Sequence, residues 1–307
     1  MNYLARTRER LQKKILRFPI VRYLRAPAIR SQSVSMLQDS SLAQSAVHAV
    51  DAHWRERIEE VMSCPDNDFI PRVAGAGVLK DNIMTMHNGI RVYAMSYYGA
   101  GILNMLIENK GVHEPQEERA FMEVLRHLPV NSTMLELGSY WAFYSLWFLA
   151  TLKDGTAYMV EPEGPNFEAG KMNFELNGRK GHFEQAYVGD ADKFPLTNLK
   201  TISVDGFCAR QGIKHLHVLH ADIQSKEMKM LHGAEGMLSC GAVDYIFIST
   251  HTNELHQGCL EILKAHHYLI LASADLDNTY SSDGLIVAKR ASLETGPMKV
   301  EISHKRA

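Results

Sequence analysis

Histidine is frequent in this sequence, 15 among 307 residues, and it gathers where chemistry is possible. One run reads His215-Leu-His217-Val-Leu-His220-Ala-Asp222, and a second reads Ser249-Thr250-His251-Thr252-Asn253. Side chains two apart on a strand share a face, so His220 and Asp222 point together. His251, ending a neighbouring strand, can join them. An imidazole titrates near neutral pH, which makes His220 or His251 a general base, with Asp222 orienting it or the substrate. Alternatively, Asp222 holds a divalent cation that acidifies a hydroxyl. Thr250 and His251 stand where magnesium would want further oxygen ligands, so a softer ion would fit better if any binds. Metal-free histidine catalysis is the favoured expectation, and no metal ligand is assigned. His215 and His217 have the opposite parity to Asp222 and are read as structural.

A second group of residues reads as a binding site. Met134-Leu135-Glu136-Leu137-Gly138-Ser139-Tyr140-Trp141-Ala142-Phe143-Tyr144-Ser145 passes from a strand pattern into a helix. Gly138 at the junction lets a ligand approach the backbone, and the helix start supplies free N–H groups. A strand, helix and strand later, Glu161 offers a carboxylate able to accept both hydroxyls of a ribose. A dinucleotide would want G-x-G-x-x-G, but those positions hold Gly138, Tyr140 and Phe143, which leave little room for a pyrophosphate. Glu136 would also repel one. It suits a ligand carrying an ammonium and a sulfonium, as S-adenosyl-L-methionine does.

With Ala142 in place of a second glycine, this segment resembles the first motif of the class I methyltransferases. In detail it is similar to the FkbM family, whose pattern runs acid-x-Gly-Ala-Asn-x-Gly-x-x-Ser. The likeness continues through Glu161-Pro162, Asn173-Phe174-Glu175-Leu176-Asn177-Gly178 and the run from Leu219 to Met228, covering roughly residues 112–290. That last run is similar to Lys-x-Asp-x-Glu-Gly-x-Glu, matching at Asp222 and Glu227 and departing at His220, Gln224 and Ser225. The resemblance implies O-methylation of a small molecule, often a sugar. It also implies that Glu136, Gly138, Ser139 and Tyr140 face the methionine part of the cofactor. Glu161 then binds the ribose, and Ala186, Tyr187 and Val188 lie where adenine is held. The run His113-Glu114-Pro115-Gln116-Glu117-Glu118 reads as a helix start that can also cap the methionine end through His113 or Glu117.

These residues need a sheet to position them. From residue 133 onward, short apolar runs alternate with helical stretches, the pattern of a parallel sheet. Strands are expected near 133–138, 156–161, 183–188, 216–222, 243–250, 267–274 and 284–290. Helices are expected near 141–152, 165–177, 205–212, 224–233 and 253–265. The connection from Asp275 to Asp283 is too short for a crossover helix, so the last two strands should pair antiparallel. Its acids and Tyr280 overlie the same edge, open to a polyol acceptor or to solvent. The expected fold is α/β, a Rossmann-like class I methyltransferase sheet, mostly parallel with a closing antiparallel hairpin. A helical and hairpin region precedes it, with Asn88-Gly89 marking the hairpin. The expected divisions are a basic helical arm at 1–66, an accessory region at 67–111, the methyltransferase domain at 112–291 and a tail at 292–307.

Composition narrows the function classes. Apolar residues make up 46% and charged residues 22%, which argues against extensive disorder, collagen or coiled coil. Four scattered cysteines make no C-x-x-C pair, so a disulfide framework or structural zinc is not expected and the setting is read as cytoplasmic. The net charge of −2 divides unevenly, with nine Lys or Arg against Glu9 in residues 1–30 and a surplus of ten acids elsewhere. That arm can touch an anionic membrane surface or a protein partner. The acidic body argues against nucleic acid as a partner. The partner expected is a small-molecule or glycan acceptor, in glycan or natural-product biosynthesis. The alternative is a catalytically silent cofactor-binding scaffold in a membrane or glycan-assembly complex.

Overall fold

The computed structural model describes residues 34–196, 198–295 and 298–305. The basic arm at 1–30 therefore lies outside the described residues. The N-terminal part begins with α1 (Ser40–Ala46) and α2 (Ala52–Met62), then a 3-10 turn at Pro65–Phe69 where Pro65 ends the helical run. A small antiparallel sheet follows, built from β1 (Leu79–Lys80), β2 (Ile83–Thr85) and β3 (Arg91–Tyr93). The turn between β2 and β3 holds Asn88-Gly89, with Gly89 at φ +87°, the left-handed geometry the sequence pair favours. Two helices, α3 (Ala100–Glu108) and α4 (Pro115–Leu125), lead into the main sheet.

The main sheet is built from β4 (Thr133–Leu137), β5 (Thr156–Val160), β6 (His182–Glu184), β9 (Leu216–Ala221), β10 (Val243–Thr250), β11 (Tyr268–Ala274) and β12 (Gly284–Arg290). Its spatial order is β11-β12-β10-β9-β4-β5-β6. The pairs β6–β5, β5–β4, β4–β9 and β9–β10 are parallel, whereas β12 runs antiparallel to both β10 and β11. This is a Rossmann-like α/β sheet closed by an antiparallel hairpin. Central β10 is buried along its whole length, as expected of a strand covered on both faces. The crossovers include α5 (Phe143–Thr151), α6 (Gly164–Leu176), α7 (Val204–Gln211), α8 (Glu227–His232), α9 (Glu235–Ser239) and α10 (Asn253–Ala265).

One expected strand is divided. The run 183–188 does not continue in the main sheet: β6 ends at Glu184, and β7 (Tyr187–Val188) pairs with β8 (Thr201–Ile202) in a separate two-stranded sheet. The expected helix at 224–233 also starts late, because Gln224 and Ser225 adopt positive φ and delay α8 to Glu227.

The apolar residues form a core on each side of the sheet. One contains Phe121, Phe143, Phe148, Tyr245 and Phe247, and it also takes in Met84, Met86, Ile90, Leu103 and Met105. The region at 67–111 thus shares the core of the main sheet. Two asparagines of α6 tie the pieces together. Asn173 accepts from the Tyr93 N–H and donates to the carbonyl of Trp141, while Asn177 exchanges two hydrogen bonds with the Arg91 backbone. The tail returns over the same region, where Ser303 donates to buried Asp66. The second core, on the other face, contains Leu135, Leu137, Phe207, Ile246 and Ile248.

Candidate active site

The chain visits β4, β5 and β6 on one side of the sheet and β9 and β10 on the other, so the order reverses between β4 and β9. Ligands of open α/β sheets bind in the crevice at the carboxyl ends of the strands at such a point. The larger of two narrow cavities lies there, lined by Tyr97, His113, Glu114, Glu136, Gly138, Ser139, Tyr140, Trp141, Tyr144, His220, Asp222 and Ser249. The second, smaller cavity shares Glu114 and Ser249 with it and adds Gln116, Glu117, Thr279, Ser281, Asp283, Gly284 and Leu285. Among the described residues, no Lys or Arg lines either one.

The β4–α5 loop is held tightly. Gly138 sits at φ +74°, and a Cβ there would stand 1.8 Å from the carbonyl oxygen of Asp222. The absence of a side chain is thus demanded by the protein's own neighbouring loop, before any ligand arrives. Tyr140 and Ala142 also adopt positive φ, at 42° and 59°, so Ala142 takes a conformation that a glycine would enter more cheaply. Ser139 is buried, and its hydroxyl has no hydrogen-bond partner. A buried polar group without a partner costs stability unless a ligand supplies one.

The expectation of free N–H groups at the helix start needs correction. Glu136 accepts from the Ser145 N–H at 3.1 Å, and Glu161 accepts from the N–H groups of Tyr140 and Glu163 at 3.0 and 2.8 Å. Both carboxylates satisfy the chain's own backbone. Burial pushes each of them up to about 7. Glu136 still faces the cavity, whereas Glu161 is absent from its lining. The expected adenine residues are not brought there either. Ala186 and Val188 are buried in the second core and Tyr187 is 45% exposed, because the chain leaves the main sheet after Glu184.

The three expected catalytic residues do come together. His220 and Asp222 both line the larger cavity, and His251 Nε2 lies 3.3 Å from Asp222. Their chemistry differs from the expectation of a histidine near its working pKa. His251 is held by Glu227 at 2.6 Å, by Asp222 and by Asp283 at 3.6 Å. Burial alone would favour the neutral ring, but hydrogen bonds to Asp222 and Glu227 overcome it and push His251 up to about 10. Its Nε2 also lies 2.7 Å from the side-chain amide nitrogen of Gln224, so both ring nitrogens are engaged. His220 Nε2 is 2.7 Å from Glu117, and Nδ1 is buried without a partner. Burial lowers the imidazolium and Glu117 more than offsets this, so the net direction is upward. Each ring is engaged by a carboxylate.

Of the cap expected at 113–118, His113 and Glu114 line the larger cavity and Glu114, Gln116 and Glu117 the smaller, Glu118 lines neither, and Tyr97 was not assigned from the sequence. Glu114, Glu117 and Glu118 sit on α4 or just before it at the spacing of its apolar stripe Phe121, Val124 and Leu125, all turned inward. Acids on the buried face of an amphipathic helix were the available signal. Glu118 bridges His113 at 2.7 Å and His87 at 3.0 Å. Burial would pull His113 down, yet Glu114 and Glu118 push it up to about 10. Tyr97 stacks on Trp141 at 4.6 Å and meets Tyr140 edge-on at 4.8 Å, giving the cavity an aromatic wall. No spacing signal pointed to Tyr97, which comes from the region before α3.

Among the described residues, the cluster with metal-ligand spacing is His215, His217 and Asp244, at the opposite end of β9 and β10. There His217 Nδ1 accepts the Thr133 N–H, and Asp244 holds both Arg290 and His215 Nε2.

No protein-family model matches the chain, and no curated protein matches it. Solved structures do. Precorrin-6y C5,15-methyltransferase from Geobacter metallireducens is 12% identical over 57% of this chain and 88% of its own, with a TM-score of 0.40. TrmK from M. capricolum, in complex with S-adenosyl-homocysteine, is 12% identical over 57% and 70%, at 0.40. The ribosomal protein L11 methylase of Lactobacillus delbrueckii is 12% identical over 59% and 81%, at 0.39. Likeness at this level assigns no function, and what the site can do is argued from its own residues.

Proposed function

We propose that this protein is an S-adenosyl-L-methionine-dependent O-methyltransferase acting on a sugar or another small-molecule hydroxyl, in glycan or natural-product biosynthesis. The observation that carries the reading is the larger cavity, where Glu114, Glu136 and Asp222 combine with an aromatic wall and, among the described residues, no Lys or Arg. Carboxylates and aromatic faces both favour a cationic ligand in a desolvated site. The cofactor supplies a methyl group on a positively charged sulfur. Glu136 and Asp222 would offset that charge, Ser139 would gain the partner its hydroxyl lacks, and Tyr97, Tyr140 and Trp141 would exclude water.

A cytoplasmic setting and a membrane or protein partner for residues 1–30 belong to the same proposal. All four cysteines are free, and no helix among the described residues is long and apolar enough to cross a membrane. The engagement of His251 by Glu227, Asp222 and Asp283 favours a second reading, a cofactor-binding scaffold without turnover. Calorimetry tests the cofactor. S-adenosyl-L-methionine should bind, and Glu136→Gln should weaken it by about tenfold, the value of one moderately desolvated charge interaction. The glutamine oxygen can still cap Ser145. Absence of binding by the unaltered protein would sink the proposal.

A further inference from the structure

With both histidines occupied by carboxylates, proton removal must fall to another group. We propose that Asp283 is the catalytic base, taking the acceptor's hydroxyl proton in the smaller cavity, with His251 as its positioning residue. The inference rests on the cofactor reading above and adds the residue that completes the transfer.

Three observations meet at Asp283. It stands at the end of the loop before β12, whose antiparallel direction brings the start of that strand to the same edge as the ends of β4, β9 and β10. It lines the cavity that joins the larger one through Glu114 and Ser249. It lies 3.6 Å from His251 Nε2, and Asp222 lies 3.3 Å from the same nitrogen, so one imidazole bridges an acid of each cavity. The groups acting on Asp283 are Asp222 after β9, His251 after β10, Glu114 before α4 and Arg57 on α2. Burial and Asp222 raise it, His251 and Arg57 hold it back, and the result is about 7. A carboxylate in that range is a far better base at neutral pH than an ordinary one.

The step balances without a further reactant. The hydroxyl proton passes to an Asp283 oxygen as the acceptor oxygen bonds to the methyl carbon. The carbon–sulfur bond breaks with its electron pair left on sulfur, giving the neutral thioether. Hydroxyls of Ser249, Thr279 and Ser281 line the cavity beside the acids. The lining holds Glu114, Glu117 and Asp283, and the nearest cationic side chain, Arg57, is engaged by Ser281, so an uncharged polyol suits it better than a phosphate ester.

The test uses the full chain with S-adenosyl-L-methionine and two probes, methyl α-D-glucopyranoside and glucose 6-phosphate, reading release of S-adenosyl-homocysteine. The methyl glucoside should turn over faster than the phosphate ester. Its rate should rise with pH through a midpoint of about 7, because Asp283 must lose its proton to act. Asp283→Asn should lower turnover by about 100-fold or more and abolish that rise, while keeping its affinity for S-adenosyl-homocysteine. Should the asparagine variant fail to fold, Asp283→Glu retains a carboxylate and should keep the pH rise. His251→Gln should move the midpoint upward, since a neighbour that favours the carboxylate is lost. Unchanged turnover in Asp283→Asn, a persisting pH rise, preference for the phosphate ester, or no turnover by protein that binds S-adenosyl-homocysteine would each overturn the assignment. Failure to bind S-adenosyl-homocysteine at all would instead reject the cofactor reading on which it stands.

Discussion

At the scale of single residues, the motif positions serve the fold as directly as they serve a ligand. Gly138 illustrates this. The Asp222 N–H donates to the Leu137 carbonyl at 3.0 Å, which draws the two strand ends together until the Asp222 carbonyl fills the space of a Cβ. Gly138→Ala should therefore cost about 3 kcal/mol or more, combining a close backbone contact with strained positive φ. Denaturant unfolding would measure it, and a loss below about 1 kcal/mol would contradict the contact. The sequence made Gly138, Ser139, Tyr140, His220 and Asp222 visible because strand ends and i, i+2 parity are local properties. It could not show that Glu136 and Glu161 cap backbone N–H groups, or that three acids surround His251. Those facts depend on chain segments far apart in sequence.

At the scale of elements, what was legible followed periodicity. The long central strands β4, β9 and β10 and helices such as α6 and α10 fall close to their expected ranges because their apolar patterns are extended. The run at 183–188 misled because its apolar character is shared by two short strands in different sheets. The placement of β12 between β10 and β11 likewise has no local signature. The family-like asparagines gain a structural explanation. Asn173 on α6 is fully buried and binds the β3 backbone, the Trp141 carbonyl and Ser96, joining the small sheet to the β4–α5 loop. Asn173→Ala strands several buried partners at once and should cost about 3 kcal/mol. A calorimetric scan should show the melting temperature lowered by roughly 6–12 °C. A shift of a degree or two would mean that the small sheet is held chiefly by the shared apolar core.

At the scale of the whole molecule, the buried charges set how stability depends on pH. Glu136 and Glu161 rise from 4.5 to about 7, Asp283 from 3.8 to about 7, and His113 and His251 from 6.5 to about 10. A group whose folded pKa is raised contributes fully below its ordinary value and loses that contribution as pH climbs through the folded one. The carboxyl contributions therefore fade between about 4 and 7, and the histidine contributions between about 6.5 and 10. Glu118 acts in the opposite sense. Burial opposes ionisation, but His113 and His87 hold its pKa below the ordinary value, so its contribution is lost as pH falls. The ligand-free protein should be most stable near pH 5 and weaken steadily toward pH 9, by on the order of 3 kcal/mol for each fully shifted carboxyl. A cation bound among these carboxylates reverses part of that loss by favouring their ionised forms. The affinity for S-adenosyl-L-methionine should consequently rise between about pH 6 and 8, and more steeply than that for S-adenosyl-homocysteine, which lacks the sulfonium charge. Melting scans and calorimetry across this range test both halves. A flat melting profile would show that the cavity acids do not titrate as a buried group, and equal slopes for the two ligands would show that they do not face the sulfur.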